Sequence, residues 1–334
     1  MIADQSRTET PLLDVRDLHA EFRTSRGVVH AVNGVNFMVN RGELVGIVGE
    51  SGCGKSATIR AMIGLLQPPG VVSGGQVLFK DKDLLASKRE RRKLLASQIG
   101  FVPQNPFGAL NPVMRIDRQF VRVIREHTDL NKKQAVELAA SRLERAGIAD
   151  PQRVLRGYAH QLSGGMAQRT VIAIAMSLDP DLVIGDEPTT GLDVTVQRQI
   201  LDDTVEQLER DHRAMLLVTH DLGIVAHYCS RVIVMYAGKV IEQGPTDLVF
   251  TDPAHPYTEL LLKAAPRRDQ PLKLSHGQLP DLINYPENCP FYQRCEYRDD
   301  PRCETEMPEM REVEPGHFAA TFHNSAQLSV GYQR

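Results

Sequence analysis

Short apolar runs separated by amphipathic stretches are the main pattern of this chain. Residues 44–48, 182–185 and 215–218 are nearly continuous aliphatic runs, which are typical of strands buried on both faces. Residues 57–66 instead repeat their apolar side chains at helical spacing. Because strand-type runs alternate with helices between residues 170 and 243, we expect an α/β fold with a mainly parallel sheet covered on both faces.

The stretch from residue 105 to residue 163 has a different pattern. Residues 132–146 carry Val136, Ala139 and Leu143 at helical spacing, and Gly147 follows as a stop signal. This pattern predicts a helical insert between two parts of the α/β core.

Length and composition narrow the class of protein. The chain has 334 residues and a formal net charge of −3, so it is long enough for a core with additions. We expect no broad affinity for nucleic acid, because phosphate-binding surfaces need clustered excess Lys and Arg. No run approaches the roughly 18 apolar residues of a membrane span, and no signal peptide pattern precedes Leu12. We therefore expect a soluble or peripheral protein.

The segment between residues 49 and 56 reads Gly-Glu-Ser-Gly-Cys-Gly-Lys-Ser and lies between a predicted strand and a predicted helix. Glycines allow backbone N–H groups to converge on phosphate oxygens, the lysine reaches the β- and γ-phosphates, and the serine hydroxyl can bind Mg²⁺. Its cysteine has no obvious activating neighbour and is interpreted as a small filler. The candidate nucleotide-binding residues are Gly49, Glu50, Ser51, Gly52, Cys53, Gly54, Lys55 and Ser56.

Four further polar residues are candidates for the same site. Asp186 ends the second aliphatic run and is placed to hold Mg²⁺, and Glu187 is the candidate base that polarises the attacking water. His220 follows the third run and is interpreted as a γ-phosphate sensor. Gln104 could contact Mg²⁺ or the water. Each of these positions is weak evidence alone, and their order after a phosphate loop gives them weight.

These residues, together with Leu-Ser-Gly-Gly-Met at 162–166 and Gly-Leu-Asp at 191–193, occur in the order found in the nucleotide-binding subunits of ATP-binding-cassette transporters. The chain resembles that family over about three quarters of its length. The resemblance implies a P-loop cassette: a RecA-like core with an antiparallel β part, a helical insert and a C-terminal extension. Met166 stands where the wider family usually has glutamine. The peptide-transporter branch has methionine at this position.

The same resemblance implies a head-to-tail dimer with ATP between two subunits. Ser163, Gly164 and Gly165 of one subunit would then face the phosphate loop of the other, and N–H groups at the start of a predicted helix (166–178) suit a γ-phosphate. Asp193 would communicate across this interface. Phe22 lies where the family places an aromatic ring against adenine, although a core phenylalanine would look the same.

The sequence pattern changes after residue 250. An Asp-Pro-Ala-His-Pro-Tyr-Thr segment at 252–258, a Pro-rich polar linker at 266–288 and a cysteine-containing segment resemble the oligopeptide, dipeptide and nickel-import branch of the family. We therefore divide the chain into four parts. These are the first part of the nucleotide-binding core (1–104), the helical insert with the signature motif (105–169), the second part of the core (170–250) and the C-terminal extension (251–334).

Cys289, Cys295 and Cys303 fall within fifteen residues, and clustered cysteines in a reducing compartment suggest a metal. Some members of the branch hold a [4Fe–4S] cluster with four cysteines here, but Thr321 stands where the fourth is expected. Three alternatives remain open. One is an iron–sulfur cluster, either with three protein ligands or completed by His317 or His323. The others are a zinc ion bound with one histidine and no metal.

The resemblance also implies the partners and the place of action. They are a second ATPase subunit, identical or related, two membrane permease subunits and an extracytoplasmic solute-binding protein, at the cytoplasmic face of the cell membrane. The expected function is ATP hydrolysis, with Mg²⁺, coupled to uptake of peptides. The alternatives are import of nickel or another small solute and, from other classes, a soluble cassette ATPase acting on DNA or ribosomes or a protein that binds ATP without hydrolysing it.

Overall fold

The computed structural model describes residues 10–264, 278–298 and 300–323. Within these residues the strands are β1 (Leu13–Thr24), β2 (Gly27–Val39), β3 (Leu44–Val48), β4 (Gly70–Phe79), β5 (Lys82–Asp83), β6 (Ile99–Val102), β7 (Leu182–Asp186), β8 (Ala214–Val218), β9 (Arg231–Tyr236), β10 (Lys239–Pro245), β11 (Arg311–Glu314) and β12 (His317–Ala319). The helices are α1 (Lys55–Met62), α2 (Lys88–Leu94), α3 (Pro106–Ala109), α4 (Ile116–His127), α5 (Lys132–Arg145), α6 (Pro151–Arg156), α7 (Gly164–Ala175), α8 (Val194–Arg210), α9 (Leu222–Tyr228), α10 (Thr246–Thr251), α11 (Pro256–Ala264) and α12 (Arg302–Thr305). Residues 266–277 of the expected linker lie outside the described part.

The larger sheet of the described residues has eight strands in the order β11-β12-β10-β9-β3-β8-β7-β6. Five strands run parallel, namely β9, β3, β8, β7 and β6, whereas β10, β12 and β11 add antiparallel strands at one edge. β3, β7 and β8 are buried along their whole length. The expected α/β fold with a mainly parallel, doubly covered sheet is confirmed.

The smaller sheet forms the antiparallel β part that the resemblance implied. Its strand order is β2-β1-β4-β5, and β1 pairs antiparallel with both β2 and β4. Alternate side chains of β1 and β2 are buried and pack with α1 and the inner side of the parallel sheet in one hydrophobic cluster. This sheet therefore covers the face of the parallel sheet on which α1 packs.

Helices α3–α6 occupy residues 106–156 and pack into a second cluster with the other side of the sheet. α5 begins at a capping box, in which Asn131 accepts from the Gln134 backbone N–H and the Gln134 side chain accepts from that of Asn131. Its buried positions Ala135, Ala139 and Leu143 follow the helical period. The helical segment is thus built as the pattern predicted, while the boundaries of the four parts remain a proposal.

Two helix bounds differ from the pattern. α1 ends at Met62, four residues before the apolar spacing ends, because the chain turns at Gly64 with φ of 65°. α7 begins at Gly164 rather than residue 166, since the Ser163 hydroxyl accepts from the Met166 backbone N–H and caps the helix. Both differences come from end signals that apolar spacing does not carry.

The C-terminal extension is attached to the core by strand pairing and by an aromatic cluster. β12 pairs with β10, and the rings of Tyr236, Tyr257 and Phe291 lie with centroids 4.6–5.5 Å apart. These three side chains are almost fully buried. In the described residues, no helix combines the length and the apolar character that a membrane span requires.

Candidate functional site

The phosphate loop connects β3 to α1, as the sequence predicted. Gly49 has φ of 148°, and a Cβ there would lie 2.3 Å from the carbonyl oxygen of Met235. Gly54 has φ of 106°, and a Cβ there would lie 2.4 Å from the carbonyl oxygen of Ala31. Any side chain at these two positions would collide with backbone, so the loop conformation needs both glycines.

Lys55 and Ser56 are the first residues of α1, so they stand at its N-terminal end. Lys55 Nζ donates to the carbonyl oxygens of Gly49 and Glu50 at 2.7 and 3.0 Å. The Lys55 ammonium group thus lies inside the phosphate loop, within hydrogen-bonding distance of two of its backbone carbonyl oxygens.

Ser56 lies opposite the tip of β7. Its hydroxyl donates to Asp186 Oδ1 at 2.6 Å, and Arg60 Nη2 donates to Asp186 Oδ2 at 3.2 Å. The Asp186 side chain is fully buried, and a buried carboxylate requires such partners. The structure therefore brings the two predicted Mg²⁺ residues into direct contact. Arg60 was not predicted, although it lies one helical turn after Ser56.

The predicted residues on three neighbouring strand ends converge on one carboxylate oxygen. Gln104 Nε2 and the Thr190 hydroxyl both donate to Glu187 Oε2 at 3.0 Å, and His220 Nδ1 lies 3.5 Å from it. β6, β7 and β8 are parallel neighbours, which brings their carboxyl ends to one edge. Glu187 has φ of 49° and leaves the strand direction at once. Thr190 is a further contact that the sequence reasoning missed.

The signature segment lies at the start of α7. Ser163 is exposed, and helix α7 starts at the next residue. Gly164 and Gly165 approach Leu192 and Val196, with Cβ positions 3.5 and 3.2 Å from those side chains. The two glycines therefore lie against the segment that opens α8 in the same chain.

Asp193 caps α8, because its side chain accepts from the Val196 backbone N–H at 3.0 Å. Phe22 lies in β1, opposite Val29 and Gly70. Its ring edge would be 2.8 Å from a Cβ on Gly70. The interface role of Asp193 and the adenine contact of Phe22 remain predictions.

Cys53 is fully buried in the phosphate loop. Burial raises the pKa of its thiol, and the nearby Lys55 only partly opposes this effect. A thiol held in its neutral form is a poor nucleophile, which agrees with its interpretation as a filler.

The three clustered cysteines line one small cavity of about 10 Å³ in the extension, which we call the cysteine cavity. Its polar or sulfur-bearing lining residues are Cys289, Cys295, Cys303, His255, Tyr292, Thr321 and His323. Burial raises the pKa of Cys295 to about 12 and also raises that of Cys289. These two thiols are therefore held mainly in the neutral form.

The two histidines that are candidates for a fourth metal ligand have different surroundings in the structure. His323 Nε2 lies 3.9 Å from Cys303 Sγ. His317 is instead paired with the buried Glu242, its Nε2 2.7 Å from Oε1. His255 also lines the cavity, and burial lowers its pKa to about 3. No metal-ligand spacing in the sequence pointed to His255.

The described cysteine cavity does not fit a four-cysteine cluster. Thr321 supplies no thiolate, and 10 Å³ is about the space of one water molecule. Within the described ranges, no three His, Cys, Asp or Glu side chains are placed to hold one metal ion.

The fold and the phosphate site define a nucleotide-binding cassette ATPase. The ABC transporter family matches residues 32–190, and the oligopeptide/dipeptide transporter C-terminal region matches residues 241–303. A solved ATP-binding cassette, a dimer bound to ADP and Pi, is similar with a TM-score of 0.63 and 24% identity, covering 70% of this chain and 98% of that one. CbiO1 of Clostridium perfringens, part of the ABC transporter complex CbiONQ, has a TM-score of 0.61 and 32% identity, covering 72% of this chain and 91% of that one.

Curated relatives are similar over nearly the whole chain. A probable peptide ABC transporter ATP-binding protein of Sinorhizobium fredii is 42% identical and covers 96% of this chain and 97% of its own. The dipeptide transport ATP-binding protein DppD of Bacillus subtilis is 45% identical and covers 86% and 87%. The oligopeptide transport ATP-binding protein OppD of Escherichia coli is 41% identical and covers 95% and 94%. This chain belongs to the ATP-binding subunits of the ABC transporter family, in the branch with the oligopeptide/dipeptide C-terminal region.

Proposed function

We propose that this chain is the ATP-hydrolysing subunit of an importer that takes up peptides. The observation that carries the proposal is the C-terminal match at 241–303, which is joined to a complete cassette in one chain. The relatives named for peptide, dipeptide and oligopeptide transport support the same substrate class. The proposed location is the cytoplasmic face of the cell membrane.

Hydrolysis is assigned to the groups at the strand ends. Lys55 is assigned to the β- and γ-phosphates, and Ser56, Asp186 and Gln104 are assigned to Mg²⁺. The direct contact between Ser56 and Asp186 supports this assignment. The metal, when bound, neutralises phosphate charge. Glu187 accepts the proton of the attacking water as general base.

His220 is assigned to sensing the γ-phosphate and orienting the water, because it stands beside Glu187 with its side chain 63% exposed. Glu187 accepts two hydrogen bonds, which hold its carboxylate beside His220. These residues therefore give the site the parts that hydrolysis needs as well as those that binding needs.

A second ATPase subunit would complete the site. The exposed Ser163 and the start of α7 are assigned to the triphosphate held by the partner. Asp193 is assigned to communication across that interface, and Phe22 to the adenine ring. The helical segment at 105–169 would transmit closure to two permease subunits, and a solute-binding protein would deliver the peptide.

We assign the three cysteines of the cysteine cavity to packing rather than to an iron–sulfur cluster. The cavity's small volume and the missing fourth thiolate support this assignment. Absorbance near 400 nm and the iron and zinc content of anaerobically purified protein test this directly. Iron at about four atoms per chain would overturn the assignment.

The proposed function is tested by reconstituting the chain with the hydrophobic subunits that copurify with it. Uptake of a labelled dipeptide into vesicles, with ATP supplied on the side of this chain, should require Glu187. Vesicles made with Glu187→Gln are the matched control. Uptake of nickel without any uptake of peptide would replace the substrate. Copurification with nucleic acid or ribosomes, and no membrane subunit, would contradict the importer assignment.

A further inference from the structure

The phosphate loop is held from outside the cassette at one residue, Glu50. Arg294 Nη1 and Nη2 donate to the two carboxylate oxygens of Glu50 at 2.8 and 2.7 Å, a bidentate pair. The Glu50 backbone N–H donates to the Tyr257 hydroxyl at 2.8 Å. Both partners lie beyond residue 250, in the C-terminal extension.

Arg294 is fixed firmly enough to hold the loop. Its side chain is only 4% exposed, and the guanidinium carbon lies 5.6 and 5.7 Å from the ring centroids of Tyr236 and Phe291. A short turn at Tyr292–Arg294 positions it between Cys289 and Cys295. The folding of the cysteine-containing segment thus determines where the guanidinium lies.

The chemistry of the site explains why Glu50 needs a cation. A phosphate loop binds a polyanion, and an unpaired carboxylate in that loop would repel the triphosphate. The Glu50 side chain is 25% exposed, so water screens its charge only in part. A bidentate arginine offsets most of this repulsion, and Lys55 Nζ is hydrogen-bonded to backbone carbonyl oxygens rather than to the Glu50 carboxylate.

We propose that Arg294 is a positioning residue for ATP binding, which neutralises Glu50 and fixes the phosphate loop from the C-terminal extension. ATP affinity of this cassette then depends on a folded extension. The inference rests on the ATP binding of this loop, which family membership establishes, and not on the transported solute.

A purely structural role of Arg294 and a charge-neutralising role predict different ATP binding by a double variant. If Arg294 only held the extension in place, removing the Glu50 charge as well would leave the damage or increase it. If it neutralises Glu50, removing that charge restores binding. The double variant therefore separates the two roles.

The experiment measures the dissociation constant of ATP for the full-length chain at about 50 and 500 mM salt. We expect Arg294→Gln to weaken binding about tenfold at low salt and less at high salt, since added salt screens the repulsion. Arg294→Lys keeps the charge without the bidentate geometry and should weaken binding about threefold. Glu50→Gln combined with Arg294→Gln should return affinity to within about threefold of the unaltered chain.

The matched control is Arg302→Gln, on the same extension. Arg302 pairs locally with Asp300 and its side chain is 51% exposed, so its loss should leave ATP affinity unchanged. Thermal unfolding of every variant is measured alongside. If Arg294→Gln fails to fold, Arg294→Lys and its combination with Glu50→Gln make the same comparison.

Two results would overturn the inference. One is a folded Arg294→Gln that binds ATP as the unaltered chain does. The other is a double variant no better than Arg294→Gln. An unaltered chain that binds no ATP would instead contradict the ATPase itself, so the two failures can be told apart.

Discussion

At the strand ends around Glu187, polar side chains are partly exposed and hydrogen-bonded to one another, with His220 open to solvent. In the cysteine cavity, the thiols of Cys295 and Cys303 and both imidazoles are buried. Burial raises the pKa of Cys295 and lowers that of His255, which favours the neutral form of each. Charged groups at the first region are stabilised by partners and water, whereas the second region offers almost no space for either. Histidine occurs in both regions, and we assign it to chemistry at the strand ends and to packing in the cavity, because a charged imidazole needs the hydration that the cavity lacks.

The largest expected effect concerns the strand ends. Glu187→Gln should reduce the ATPase kcat by about 10²–10⁴-fold, because the amide cannot accept the water proton. ATP binding and ATP-dependent dimerisation should persist, since the amide oxygen can still accept from Gln104 and Thr190. Steady-state turnover and light scattering measure both. Normal turnover by this variant would move the base elsewhere.

The second effect is on stability and belongs to the extension. Phe291 is 2% exposed and packs against Tyr236 and Tyr257. Phe291→Ala should destabilise the extension by about 3–5 kcal/mol. Hydrogen exchange of residues 278–323 would detect it, with Phe291→Leu as a milder control. An extension that stays protected would mean that the aromatic cluster does not hold it.

The third effect is a pH dependence of the free energy of unfolding, which comes from His255 in the cysteine cavity. The folded-state pKa of His255 is lowered to about 3, whereas that of the unfolded chain is about 6.5. Its contribution to stability is therefore complete above pH 6.5 and is lost as the pH falls toward 3. Between pH 7 and pH 5 this loss amounts to about 2 kcal/mol.

The matching variant is His255→Asn, whose oxygen can still accept from the Tyr257 backbone N–H that now donates to His255 Nδ1. Chemical unfolding at pH 7 and pH 5 should show a shallower decline for this variant. Equal slopes for both proteins would show that His255 does not set the acid sensitivity of the extension.

The smallest expected effect tests whether the cavity cysteines only fill space. Cys303→Ala and Cys229→Ala remove buried thiols inside and outside the cysteine cavity, and each should cost about 1 kcal/mol. Similar losses with unchanged metal content would support the packing role. A much larger loss for Cys303 alone, together with a loss of bound metal, would contradict it.

Much of the fold was readable from sequence because its signals are local. The continuous run at Leu44–Val48 became β3 without a change of bounds, and glycines at 49 and 54 predicted a turn that side chains could not make. Helix ends were less accurate: capping by Ser163 extended α7, and the turn at Gly64 shortened α1.

Residue order along the chain determined which groups meet at the candidate ATP site, since neighbouring parallel strands bring their carboxyl ends to one edge and motifs placed there must meet. Only the tertiary structure decided that Arg294 pairs with Glu50, that His323 rather than His317 lies beside Cys303, and that His255 lines their cavity. These contacts join residues that are 20 to 244 positions apart in places where no strand order or motif spacing constrains them. They follow from packing and from the need to pair buried charge, which act only when the whole chain has folded.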